Sequence, residues 1–214
     1  MAETETLLTE STCKEFTAAL ASKNPVPGGG GAAALAGALA SSLCLMVGNY
    51  TIGKKKYEEY EDDVRRIMER AETLRTRLLD LTDEDARAFE PLSRAYAIPK
   101  TDPSRENVLE TASLNACRAP LEMVRCCSEV IDLLQEMLEK GSVMLVSDIG
   151  CGAAIGQAAM ESAALNVFVN TSTLRDRKKA NQLENEVNRI LRDALQKADV
   201  IIEAVNRRIR REEE

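Results

Sequence analysis

Two stretches of small, uncharged residues constrain what this chain can fold into. Ala32 to Val47 runs for 16 residues without a charge and consists mostly of alanine, glycine and serine with leucine between. Gly150 to Val169 repeats that character with few polar interruptions. Side chains this small let neighbouring backbones come close, so each stretch predicts a helix packed against others. The first is too short and too weakly apolar for a membrane span, which takes about 20 predominantly apolar residues. A buried core helix is therefore the expectation, and no membrane partner is.

The rest of the chain carries helical periodicity, and no alternating run argues for a sheet. Ser11 or a neighbour can cap a first helix that turns Phe16 and Leu20 inward and ends near Lys23, ahead of Asn24-Pro25. Tyr57 to Ala97 reads as one long helix or two end to end, with Val64, Ile67, Ala71, Leu74, Leu78, Leu81, Ala88 and Leu92 spaced three and four apart. Ser104 is expected to cap a helix running to Lys140, with a kink or break at Pro120 and a C-terminal cap at Gly141. The last helix spans about Asp176 to Arg211, amphipathic from Leu183 to Ile209. With aromatics at 3% and no tryptophan, the core must be filled by aliphatic residues and methionine, which suits close-packed helices. The 214 residues suffice for a real core. No repeat or linker divides them, so residues 1–214 are read as one domain. The expected fold is all-α: a bundle of long amphipathic helices around two central small-residue helices. Amphipathic helices this long often meet a partner subunit, so a homodimer is expected.

Several function classes fall away. A net charge of −7 and a pI near 5.0 disfavour nucleic acid as a partner. The six cysteines form no C-x-x-C pair, and Met1 to Glu15 is polar and acidic with no secretory character, so reduced thiols in the cytoplasm are expected. There is no histidine, hence neither the usual metal ligand nor the usual proton shuttle, and no metal site is expected. Acid–base chemistry must come from a carboxylate, lysine, tyrosine or cysteine.

Four places can carry chemistry, each with a plain structural alternative. Gly28 to Gly31 open a helix whose free N–H groups suit an anionic or carbonyl group; the same glycines suit a flexible entry to a buried helix. The loop lacks the Gly-Lys-Ser/Thr ending of a phosphate loop. Lys54, Lys55 and Lys56 end the charge-free segment, where cations either complement the helix dipole or neutralise a carboxylate-bearing ligand, the first reading being the stronger. Asp85 continues the apolar stripe of the long helix, Leu78, Leu81, Asp85, Ala88, Leu92. A carboxylate there must be paired, protonated or functional. Its rival is a helix break in which Asp85 answers a cap at Thr82. Ser147 and Asp148 open the second small-residue helix, as N-cap and first-turn acid or as ligand contacts. Further along it, Asn166 and Asn170 share a face, for ligand or for interhelical hydrogen bonds.

Taken in order, Pro25-Val26-Pro27-Gly28-Gly29-Gly30, the Ala34–Leu39 run, Met46-Val47, Thr51-Ile52-Gly53-Lys54-Lys55-Lys56-Tyr57, Asp83-Glu84-Asp85-Ala86 with Phe89, Ser147-Asp148, and Asn166-Val167 with Asn170 resemble the formiminotetrahydrofolate cyclodeaminase and methenyltetrahydrofolate cyclohydrolase family. The resemblance covers nearly the whole chain. It implies an all-helical dimer that binds a tetrahydrofolate derivative as substrate near the subunit interface, with no tightly bound cofactor. It implies chemistry on the carbon bridging N5 and N10: water opens the methenyl ring to 10-formyltetrahydrofolate, or ring closure of the 5-formimino compound expels ammonia. By carry-over, Asp85 and Asp148 are the acid–base candidates. Lys54 and Lys56 would meet the glutamate carboxylates, Gly28, Gly29 and Gly30 with Ser147 would hold the ligand, and Asn166 and Asn170 would read the pterin edge. Cyclohydrolase is put ahead of cyclodeaminase because no transferase domain is fused here. One position departs: the family's glycine run is usually followed by serine, here Gly31, which leaves room for altered substrate or rate, or for a non-catalytic folate-binding or assembly protein.

Overall fold

A computed structural model describes residues 7–211, so Met1 to Thr6 of the polar N-terminal stretch lie outside the described residues. The described chain is helical, without strands. The helices are α1 (Cys13–Leu20), α2 (Gly29–Asn49), α3 (Glu61–Ala97), α4 (Arg105–Ala116), α5 (Arg118–Lys140), α6 (Val146–Thr171) and α7 (Arg177–Arg210). Short 3-10 turns precede α1, α3 and α6.

Local chemistry accounts for most boundaries. Thr12, not Ser11, caps α1, with Glu15 closing the reciprocal capping box. That helix stops at Leu20, short of Lys23; Phe16 is buried, whereas Leu20 stays exposed because nothing packs over its side. Ser104 occupies the cap position of α4, yet its hydroxyl turns back to Asp102 and caps nothing. Ser147 is not a cap either: α6 begins one residue earlier, and Ser147 and Asp148 lie in its first turn. Asp176 caps α7 through the Lys179 N–H. Ile209 at the end of that helix is 53% exposed, beyond the reach of the core.

α3 runs unbroken through the Thr82 region, so the cap alternative for Asp85 fails. Thr82 donates to the Leu78 carbonyl inside the helix. Asp83, the buried acid of that cluster, instead holds the N-terminal segment through the Leu8 N–H at 2.6 Å and the Thr9 hydroxyl at 2.7 Å. Leu78 and Leu81 are fully buried, so one turn later the same stripe carries Asp85 to the edge of the core.

α2 and α6 run antiparallel side by side, packed on α3, α5 and α7. The small residues serve as expected: a Cβ on Gly37 would lie 2.7 Å from Cys127 Sγ, so only glycine lets α2 pass α5 this closely. Cys44, Cys126 and Cys127 are buried in this core, and Cys117 in the turn between α4 and α5. The two helices are not wrapped on all sides, however. One face of α2 shows Ala36, Leu39, Leu43, Met46 and Tyr50 at helical spacing, with Leu39 53% and Tyr50 58% exposed. The adjoining face of α6 shows Cys151, Ala154, Ala158, Leu165 and Val169. Gly29–Asn49 and Val143–Thr171 are each long and apolar enough to cross a membrane by length and composition alone, so the expectation that the first stretch is too short and too weakly apolar does not hold: the helix extends past the charge-free run at both ends. A separate small core of Leu92, Ala95, Ala112 and Ala116 joins the end of α3 to α4 beside the opening of α2.

Candidate active site

The site is built around the start of α2. Its N-cap is Gly28, which has no side chain to receive the first-turn N–H groups. The acceptor comes from another helix: the Asp85 carboxylate of α3 takes a hydrogen bond from the Gly31 N–H. Gly30 makes this approach possible. A Cβ on Gly30 would fall 2.6 Å from both Cγ and Oδ1 of Asp85. The carboxylate thus lies against bare backbone at the positive end of a 21-residue helix.

Two effects compete at Asp85. Burial disfavours its charge, while the Gly31 N–H favours it. Burial wins, and the carboxyl is pushed up to about 6. It therefore changes protonation close to neutrality, the range a general acid or base requires.

Asp85 opens into a cavity of about 170 Å³ that also draws on Gly28, Gly29, Gly30, Asn166 and Asn170. Pro25 and Val26 close one side, and Phe89, Leu92 and Ala116 another. Six of the ten residues singled out in the sequence therefore converge. Of the walls, Ala116 had no motif to mark it. A larger groove of about 440 Å³ between α2 and α6 shares Gly29 and Asn166 with this cavity and continues it along the exposed apolar face.

The other four residues lie elsewhere in the chain. α2 is about 30 Å long at 1.5 Å per residue, and Lys54 and Lys56 follow its far end. Asp148 and Asn166 are 18 residues apart on α6, roughly 27 Å. Asp85 and Asp148 thus do not share a site within one chain, because long straight helices hold them at opposite ends. Lys54 and Lys55 line a second cavity of about 470 Å³ with Gly53, Glu58 and Glu61. Thr51 and Tyr57 join that end to the start of α6: Thr51 Oγ1 accepts from the Ser142 N–H at 2.8 Å, and the Tyr57 hydroxyl from the Val143 N–H at 3.1 Å.

Gly31 is buried outside the cavity lining. A Cβ there would meet Pro27 at 3.4 Å and Thr82 Cγ2 at 3.6 Å, ordinary contacts. The departure from serine thus changes packing beneath Asp85 and removes no group from the cavity wall. Adjacent glycines should behave oppositely. Gly31→Ala should keep the fold, gain about 0.5–1 kcal/mol in thermal melts and leave turnover near that of the parent. Gly30→Ala should displace Asp85 and lower turnover by about 100-fold or more, the usual worth of a positioned acid–base group. Equal activities in the two variants would contradict this geometry.

Residues 12–189 match the family model for formiminotransferase-cyclodeaminase. A methenyltetrahydrofolate cyclohydrolase of Methylorubrum extorquens is 40% identical over 202 residues, covering 92% of this chain and 97% of the relative. The formimidoyltransferase-cyclodeaminase of Rattus norvegicus is 25% identical over 208 residues, which take up 95% of this chain and 38% of that protein. A crystal structure of formiminotetrahydrofolate cyclodeaminase from Thermotoga maritima superposes with a TM-score of 0.81 at 30% identity, covering 92% of this chain and 98% of that one.

Proposed function

This chain belongs to the formiminotransferase-cyclodeaminase family, and from that premise we propose that it is a methenyltetrahydrofolate cyclohydrolase with Asp85 as its acid–base group. The observation that carries the reading is a half-buried carboxyl, raised to about 6, held against the first turn of α2 within a cavity. The methenyl carbon is already an amidinium-like cation. Ionised Asp85 takes a proton from the attacking water as oxygen bonds to that carbon. Protonated Asp85 then gives its proton to N5 as the carbon–N5 bond breaks, N5 leaves as an amine, and the adduct's hydroxyl releases its proton to water as the formyl carbonyl forms on N10. A carboxylate near the cation also lowers the barrier by charge complementarity.

The exposed α2–α6 face is read as a homodimer interface. It is largely apolar, exposes Leu39, Tyr50, Leu165 and Val169, and is continuous with the cavity. A two-fold axis across these helices brings the Asp85 end of one copy to the Lys54–Asp148 end of the other. Asp148 would then complete the acid–base pair. Ser147, Lys54 and Lys56 would meet the ligand, the lysines at the folate glutamate. Glu161, exposed on the α6 face, favours a protein partner over lipid, where an ionised carboxylate is costly. Six free thiols, two of them exposed, support a reducing, cytoplasmic setting as part of the same proposal.

The second reading is cyclodeaminase, favoured by the Thermotoga maritima protein. Its chain is covered to 98% at 30% identity, so the same scaffold carries that name as well. The 40% identity to a cyclohydrolase does favour hydrolysis. The test is direct: loss of methenyl absorbance from 5,10-methenyltetrahydrofolate is expected. Ammonia release from the 5-formimino compound with no methenyl hydrolysis would instead establish the second reading.

A further inference from the structure

We propose that Pro120 is a positioning residue for the ligand: by orphaning the Ala116 carbonyl it captures the amide nitrogen of Asn170, so that the amide oxygen is presented to the N–H donors of the pterin edge. The inference rests on the folate reading above and adds the polarity of that subsite and its cause.

The chain of contacts is short. From Ser113 to Leu121 the backbone is nearly one continuous helix: the Cys117 N–H bonds to the Ser113 carbonyl at 3.2 Å, and the Leu121 N–H to the Cys117 carbonyl at 3.1 Å. The bond between them, from residue 120 to Ala116, is missing because proline has no N–H. Ala116 is buried, so its carbonyl needs a donor. Asn170 Nδ2 supplies it at 3.0 Å across the α4–α6 contact. A carbonyl accepts only, so the nitrogen end of the amide must face it. One turn earlier, Asn166 Nδ2 is held in the same way by the Ser162 carbonyl at 2.9 Å. Among the described residues neither amide oxygen has a hydrogen-bond partner, and neither is a sealed, unsatisfied atom. Both residues line the cavity with Asp85. Apart from the reacting Asp85, the subsite therefore offers two amide oxygens, a pair of acceptors. Its complement is an edge of adjacent N–H donors, such as the 2-amino group and ring N–H of a reduced pterin.

The test compares the binding of tetrahydrofolate with that of 2-desamino-2-methyl-tetrahydrofolate. These probes lack the one-carbon unit, so binding is read without turnover. The wild-type protein should prefer tetrahydrofolate by about tenfold or more, the worth of a buried donor–acceptor pair. Asn170→Ala should bring that preference close to one. Pro120→Ala restores a helical N–H that competes for the Ala116 carbonyl, and should lower the preference while helix content is kept. The double variant should add little to either single one, which two independent packing losses would not show. A wild-type preference retained in Pro120→Ala, or effects that add, would overturn the proposal. Should Pro120→Ala fail to fold, Asn170→Ala decides, and an unchanged preference there overturns it equally. Turnover of the methenyl substrate is scored separately: turnover without preference removes the subsite alone, and preference without turnover removes the reaction alone.

Discussion

Asp85→Asn is expected to eliminate turnover and to make the protein more stable at neutral pH. Asparagine keeps an oxygen for the Gly31 N–H, so the cap on α2 survives and the fold should not change. What disappears is the proton acceptor, and positioned acid–base groups contribute about 100- to 10,000-fold. Stability should move the other way, and its sign follows from linkage. The Asp85 carboxyl is raised from 3.8 to about 6 by burial. Folding therefore favours its protonated form. That contribution is fully present below about pH 4 and is lost as pH rises through about 6. Above that point the ionised carboxylate costs on the order of 1–3 kcal/mol, with some discount for its partial exposure. Thermal melts of Asp85→Asn should therefore exceed those of the parent at pH 7.5 and converge with them near pH 4. The pH profile of kcat/KM for the parent should rise through about 6 as the base ionises. A variant that retains activity, or a flat profile between pH 5 and 7, would remove Asp85 from the chemistry.

Mixed dimers should restore activity that neither parent variant has. If Asp85 of one copy works with Asp148 of the other, Asp85→Asn and Asp148→Asn are each inactive as homodimers. Co-expressed in equal amounts, half of the dimers are mixed, and each mixed dimer holds one intact pair of acids. Roughly a quarter of wild-type activity should return by this two-fold symmetry. Leu39→Arg, in the middle of the exposed α2 face, should give a monomer by sedimentation and lose activity while the helices remain. Hydrophobic-to-charged changes at the centre of an interface commonly cost several kcal/mol of association. Two intact sites in every monomer, seen as full activity in monomeric Leu39→Arg, would refute the shared site.

Much of the architecture is legible in the sequence because helix formation is governed by local spacing. The stripe Val64, Ile67, Ala71, Leu74, Leu78 and Leu81 is buried as its three-and-four spacing requires. The charge-free segment is a core helix, and the break expected near Pro120 falls between α4 and α5. Asp85 stands out for the same reason, a carboxylate in register with an apolar stripe. The cap alternative is equally readable there, and only the unbroken course of α3 removes it. Ser104 and Ser147 do not act as the caps their positions suggest, because a hydroxyl near a helix start has several competing acceptors and donors, and the loop geometry chooses among them.

The sequence by itself determined which segments are helical, which faces are apolar, and that a carboxylate, two amides and a glycine run were available for chemistry. These are properties of periodicity and side-chain type. Only the tertiary structure decided which of them meet. α2 and α6 are antiparallel rods about 30 Å or more in length, so residues at their opposite ends cannot share a site in one chain. Asp85 gained its raised pKa from burial against a bare helix start contributed by a segment some 55 positions away in the chain. That distance in sequence carries no periodic signal, because burial and dielectric environment are set by packing between helices rather than by the spacing along any one of them.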